Sequence, residues 1–172
     1  MPYRLDTAGP DETSAIADLH TESWRQTYRG MLPEALFGAP VEAAMAKKWS
    51  GPVAGREVLV LRDGATLAGF AAFFPEHPDG VFVDNLHVRP DLKGQGIGGA
   101  LLRGVAERAR GRPIWLEVLV ANDATRAVYR AWGGREGPHF DTSVLGAPVL
   151  SLIVRWTGSE ALLGRLRERA PS

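Results

Sequence analysis

Cysteine is absent from the 172 residues, which excludes a disulfide framework, a thiolate nucleophile and any cysteine-ligated metal. Histidine is scarce, and His20, His77, His87 and His139 stand far apart without ligand-like spacing, so no metal is expected. Net charge is missing as well. Twenty basic and twenty acidic side chains cancel, leaving no bulk attraction for nucleic acid. No apolar run approaches the ~20 residues that a membrane span needs, and the N-terminus lacks a basic start followed by an apolar core. Internal repeats, low-complexity tracts and linkers are also lacking. These absences leave one ordinary globular domain, 45% hydrophobic and 23% charged, with a cytoplasmic setting expected and neither nucleic acid nor membrane as a partner.

Glycine, by contrast, is concentrated where it costs most. The stretch "KGQGIGGALLRGVAERA" places Gly94, Gly96, Gly98 and Gly99 at the mouth of an apolar helix. Glycine loses more backbone entropy on folding than any other residue, so such a cluster points to close approach rather than stability. The first amides of a helix lack carbonyl partners and carry the positive end of its dipole, a setting suited to phosphate. The same residues formally satisfy G-x-G-x-x-G, with Glu117 downstream in the place of a ribose-binding acid. A dinucleotide fingerprint, however, needs a strand running straight into the turn; here Arg89 to Lys93 intervene, with a proline, and a hairpin comes first.

The remaining pattern predicts a mixed αβ fold. A strand at "YRLDTA" precedes a helix capped by Asp11, in which Ile16, Leu19 and Ser23 share a face and His20, Trp24 and Tyr28 line up beside it. A second helix runs from Val41 to Trp49. "EVLVLRD" and "TLAGFAAFF" form a hairpin, "VFVDNLHV" a third strand, and the glycine-led helix spans about Gly96 to Ala109. "PIWLEVLV" reads as a buried strand, and "NDATRAVYRAW" as a helix opened by Asn122 and stopped by Gly133 and Gly134. Strands at Arg135–Val144 and Val149–Trp156, joined by "LGAP", precede an amphipathic tail helix capped by Ser159.

Three motifs in this order resemble the GNAT superfamily of N-acetyltransferases. They are "VDNLHVRP" before the loop, the loop Lys93-Gly94-Gln95-Gly96-Ile97-Gly98 with lysine where the family prefers arginine or glutamine, and "LEVLVAND" leading into Asn122, Thr125, Tyr129 and Gly133. Gly134 replaces the aromatic usual at that point. "LHTESWRQTYRGMLPE" also resembles the first helices of bacterial members. The resemblance implies an α+β fold with a mostly antiparallel, centrally splayed mixed sheet flanked by helices. It assigns residues 3–156 to the acetyltransferase domain, and leaves 157–172 as a tail helix of the same unit or an interaction element.

The implied reaction is acetyl transfer from acetyl-CoA to a primary amine by direct attack in a ternary complex. The alternative on the same fold is a noncatalytic acyl-CoA binding or sensing module. Lys93, Gly94, Gln95, Gly96, Ile97, Gly98 and Gly99 would hold the pyrophosphate. Leu86, His87 and Val88 would pair through their main chain with the pantetheine arm, and Asn122 would either bond that arm or cap its own helix. The expected acceptor is a small-molecule amine or a peptide N-terminus, with a homodimer left open. An amine with pKa near ~10 must lose a proton before attack, and Asp84 and Glu117 compete as the base. Without a bulge, alternation sets Asp84, Leu86 and Val88 on one face and His87 on the other. Tyr129, two helical turns beyond Asn122, would assist the departing thiolate and also line the cofactor site.

Overall fold

The computed structural model describes residues 2–169. Seven strands form one sheet: β1 (Arg4–Thr7), β2 (Glu57–Asp63), β3 (Thr66–Phe74), β4 (Val81–Val88), β5 (Ile114–Leu119), β6 (Arg135–Val144) and β7 (Ala147–Trp156), in the order β1-β2-β3-β4-β5-β7-β6. Only β4 and β5 run parallel. The crossover between them is α3 (Ile97–Ala109). That helix presents Ile97, Leu101, Leu102, Val105 and Ala109 to a core shared with β2 to β5, with β7 and with α5 (Ser159–Glu168). On the opposite face α1 (Thr13–Tyr28) and α2 (Ala39–Lys48) bury Ile16, Leu19, Trp24, Val41 and Met45 against Val60, Phe70 and Ala72. The short α4 (Asp123–Ala131) follows β5 and sends Tyr129 into the α3 side.

Local expectations fail at three places. Asp11 caps no helix: it lies within a 3-10 turn at Pro10–Glu12, and the Glu12 carboxylate instead accepts from Gly9 N–H at 2.6 Å and from Arg62 at 2.6 Å. Ser159 is the first residue of α5 and not its cap. Its hydroxyl accepts from Gly111 N–H at 2.7 Å, tying the tail helix to the turn after α3. "LGAP" contracts to a two-residue turn at Leu145-Gly146, both with positive φ (48° and 82°), so β7 begins at Ala147. Both positive values suit the twist of a tight hairpin. Leu162, Leu163 and Leu166 bury α5 in the main core; residues 170–172 of the expected tail lie outside the described residues.

The central splay follows from where pairing stops. The β4–β5 ladder holds only Val81 to Val83 against Ile114 to Leu116. Beyond it the strands part, while β4 remains paired with β3. At the parting point Ala72 faces Asn85 and Phe73 faces Val83, leaving Asp84 as the extra residue of a bulge. A bulge of one residue reverses the alternation that follows it. Leu86 and Val88 therefore pack toward α3, while Asp84 reaches Lys48 of α2 and His87 reaches Ser23 of α1. The expected separation of Asp84 from His87 is thus corrected: the two face the same side.

Candidate active site

A cleft of about 500 Å³ opens where β4 and β5 part. Its floor is the diverging strands, from Val83 to Val88 on one and Leu116 to Val118 on the other. Its walls are the glycine loop with the start of α3, the inner face of α4, and the end of α1.

The loop end is built from backbone. Gly94 and Gly96 both have φ near +80°, a conformation that side chains disfavour, and a Cβ at either would meet no protein atom within 4 Å. A Cβ on Gly98 would meet only Val88, at an ordinary 3.7 Å. Packing therefore does not demand glycine at 98. The first intrahelical bond of α3 runs from Ala100 N–H to Gly96 C=O, so the amides of Ile97, Gly98 and Gly99 have no acceptor within the helix. Lys93, Gly94, Gly96, Ile97, Gly98 and Gly99 line the cleft. Gln95 does not; its side chain turns away to accept a hydrogen bond from Tyr3 Oη at 3.0 Å. Arg103 is half-buried and reaches the Leu166 carbonyl of α5 at 3.4 Å.

Asn122 serves its helix: its Oδ1 accepts from Thr125 N–H at 3.3 Å, while the residue also lines the cleft. Tyr129 is 8% exposed, and its ring sits edge-on to Trp156 (5.9 Å) and tilted to Trp132 (6.1 Å). Among the described residues no protein group hydrogen-bonds its hydroxyl, whose pKa is pushed above the ordinary value by burial and, secondarily, by Tyr28. The phenol thus stays protonated throughout the neutral range.

The two carboxylates of the opposite end differ. Asp84 Oδ2 accepts from Lys48 Nζ and from Asn85 Nδ2, each at 2.8 Å. Glu117 projects from β5 on the same side, exposed, with no cation within 4 Å among the described residues. Behind Asp84 lies a buried polar chain. Trp49 Nε1–H donates to His20 Nδ1 at 3.0 Å, the His20 and His87 rings lie 4.3 Å apart, and His87 Nδ1 meets Ser23 Oγ at 2.9 Å. Burial, then the neighbouring His87 and Lys48, lower His20 to about 2. His87, half-buried by accessible surface yet enclosed by Phe70, His20 and α1, falls to about 3 through lost solvent, with Lys93 and Lys48 adding. Both rings are neutral at pH 7.

On the acceptor side Tyr28 lines the cleft, whereas His20, Trp24 and Trp49 are buried and Phe140 and Asp141 lie on β6 outside it. Ser23 and Thr27 do line it. Their spacing with Tyr28, at i, i+4 and i+5, was the signal for that wall. Among the described residues no group of three or more His, Asp or Glu is placed to hold a metal, and no helix is long and apolar enough to cross a membrane.

Residues 15–133 match the Acetyltransferase (GNAT) family. The chain belongs to that family. It is 40% identical over 75 residues to the N-alpha-acetyltransferase RimI of Mycobacterium tuberculosis, a stretch covering 42% of this chain and 48% of the relative, so the match spans about half of that protein's length. Among solved structures, the PaiA N-acetyltransferase of Thermoplasma acidophilum in complex with coenzyme A superposes with a TM-score of 0.72 at 18% identity, over 91% of this chain and 100% of the other. The ribosomal-protein-S18-alanine N-acetyltransferase of Escherichia coli does so with a TM-score of 0.64 at 22% identity, over 89% and 92%.

Proposed function

We propose that the chain is an acetyl-CoA-dependent N-acetyltransferase that passes the acetyl group to a primary amine by direct attack in a ternary complex. One observation carries this reading: a single cleft joins the unpartnered amides at the head of α3, the portion of β4 released from β5, the Tyr129 hydroxyl and the exposed carboxylate of Glu117. The coenzyme A held by the PaiA structure supports the choice of donor. The acyl carrier supplies an activated thioester; the chain's own residues do the rest.

The amides of Ile97, Gly98 and Gly99 and the dipole of α3 attract a diphosphate, and Lys93 adds charge. The main chain of Leu86, His87 and Val88 offers groups to an extended amide-bearing arm in place of the missing strand. Glu117 accepts the amine's proton, directly or through water, because it carries no competing cation. Asp84, already neutralised by Lys48, fixes the bulge and the local field instead. Tyr129 donates a hydrogen bond to sulfur as the C–S bond breaks. Its raised pKa makes complete transfer to a thiolate, whose own pKa is near ~8.5, uphill, so stabilisation by the hydrogen bond is its contribution and solvent supplies the final proton.

The RimI relative, named for N-alpha-acetylation, makes a peptide N-terminus the first acceptor class to try, with small amines next. A cytoplasmic setting fits a cysteine-free chain of this kind. Release of coenzyme A thiol is to be measured with acetyl-CoA and a panel of peptides and small amines. Turnover with one class establishes the enzyme and its acceptor. Tight acetyl-CoA binding with no transfer to any primary amine would leave the noncatalytic acyl-CoA module.

A further inference from the structure

The end of α4 carries an unusual substitution for a contact its geometry calls for. Trp132 is the C-cap, Gly133 follows with φ +84°, Gly133 N–H bonds the Arg130 carbonyl at 2.9 Å, and Gly134 N–H bonds the Tyr129 carbonyl at 2.9 Å. This pair of bonds is a Schellman motif, in which a hydrophobic side chain on the residue in Gly134's position commonly packs on the residue in Tyr129's. Gly134 has no side chain to offer. Nor is there room for one, since a Cβ there would lie 2.5 Å from Val154 Cγ1 and 3.0 Å from Trp156 Cζ2. The space is taken by Val154 and by Trp156, which is 2% exposed, stands edge-on to the Tyr129 ring at 5.9 Å and 89°, and donates its indole N–H to the Trp132 carbonyl at 3.0 Å.

We propose that Trp156 is the positioning residue for Tyr129. From the neighbouring strand β7, its ring supplies the contact that the residue at 134 would otherwise make, and its N–H anchors the carbonyl of Trp132, the C-cap of α4. The Tyr129 ring, braced by Trp156 and Trp132 and with no hydrogen bond to its hydroxyl among the described residues, depends on these ring contacts for its aim into the cleft. This inference rests on the role assigned to Tyr129 above. It also fits the glycine at 134, where any Cβ would collide with Val154 and press on Trp156.

The test compares Trp156→Phe, Trp156→Leu, Tyr129→Phe and the double variant Tyr129→Phe/Trp156→Leu in the full chain, with a confirmed acceptor and saturating acetyl-CoA. Trp156→Met, whose longer and more flexible side chain can better fill an irregular gap, replaces the leucine variant if that one is insoluble. Displacing a reacting group by a fraction of an ångström is expected to lower kcat by roughly 10-fold in Trp156→Leu. Acetyl-CoA affinity and acceptor KM should stay within about twofold, and Trp156→Phe, which retains an aromatic edge, should recover most of the turnover. In the Tyr129→Phe background the second substitution should cost nothing further, because the hydroxyl it aims is gone. Losses that multiply, or a loss confined to KM, overturn the inference. A low kcat in Tyr129→Phe with wild-type kcat in Trp156→Leu overturns it alone; wild-type kcat in Tyr129→Phe overturns both the thiolate role and this inference.

Discussion

The two ends of the cleft are made of different materials. The donor end is backbone: left-handed glycines, helix amides without acceptors and a strand released by its neighbour. The acceptor end is side chain: Glu117 exposed, Asp84 held by Lys48, and a chain from Trp49 through His20 and His87 to Ser23. Under the proposed function, backbone would recognise what every acyl-CoA shares, and it tolerates little change, because a glycine conformation cannot be replaced by another residue without strain. Side chains recognise one acceptor among many and can be exchanged singly.

This contrast predicts unequal effects, the largest at the donor end. Gly96→Val forces a branched side chain to φ +80° and into the cleft, so acetyl-CoA affinity should fall by about 100-fold or more by calorimetry, with a loss of stability of about 1–3 kcal/mol. Gly98→Val makes the sharper case, since its Cβ is accommodated by the protein. The fold should keep its Tm and lose only the Tm rise that acetyl-CoA confers on the parent, about 2.7 kcal/mol at roughly one hundred times Kd. Normal affinity in both would break the backbone account.

Tyr129→Phe comes next. Removing one preorganised donor should lower kcat by ~100-fold or somewhat less, with acetyl-CoA affinity unchanged. Glu117→Gln should then lower the rate by roughly 10- to 100-fold near pH 7, where an external amine is mostly protonated, and by less as pH approaches the amine pKa. Asp84→Asn should cost less at pH 7 and show little pH dependence, because that carboxylate is already paired. If the two carboxylates exchange these profiles, Asp84 is the base.

The last effect concerns stability at the acceptor end and leaves turnover aside. His20 and His87 have native pKa values depressed to about 2 and about 3, against 6.5 for an unperturbed histidine. Below about pH 6.5 the unfolded chain therefore binds protons that the native chain refuses. Stability from this pair is complete above that pH and is lost as pH falls toward 3. Tm should drop on acidification through this window by at least a few degrees, and His20→Phe should flatten the slope. A Tm independent of pH between 6.5 and 4 would mean that the pair is not buried neutral.

The donor end was largely legible in the chain because glycine placement is itself a backbone statement. Four glycines opening an apolar helix after a strand and a proline leave few conformations, and Gly94, Gly96, Ile97, Gly98 and Gly99 all line the cleft. Gln95 is the exception, drawn off by Tyr3 from 92 positions away. The acceptor end was far less legible. Whether Asp84 faces the same side as His87 depends on one bulge, and the alternation of "VFVDNLHV" contains no sign of it, since the extra residue is defined by the register against β3.

The sequence by itself determined the element types, the glycine loop and the motif order that mark the family, because propensity, periodicity and turn chemistry act over a few neighbouring residues. Only the tertiary structure decided which carboxylate is paired, that Ser159 bonds Gly111 and Glu12 bonds Arg62, and that Trp156 takes the place beside Tyr129 that Gly134 leaves open. Each of those outcomes is a competition for one partner between groups distant in the chain, and it is settled by packing and register, quantities that exist only once the sheet has closed around its core.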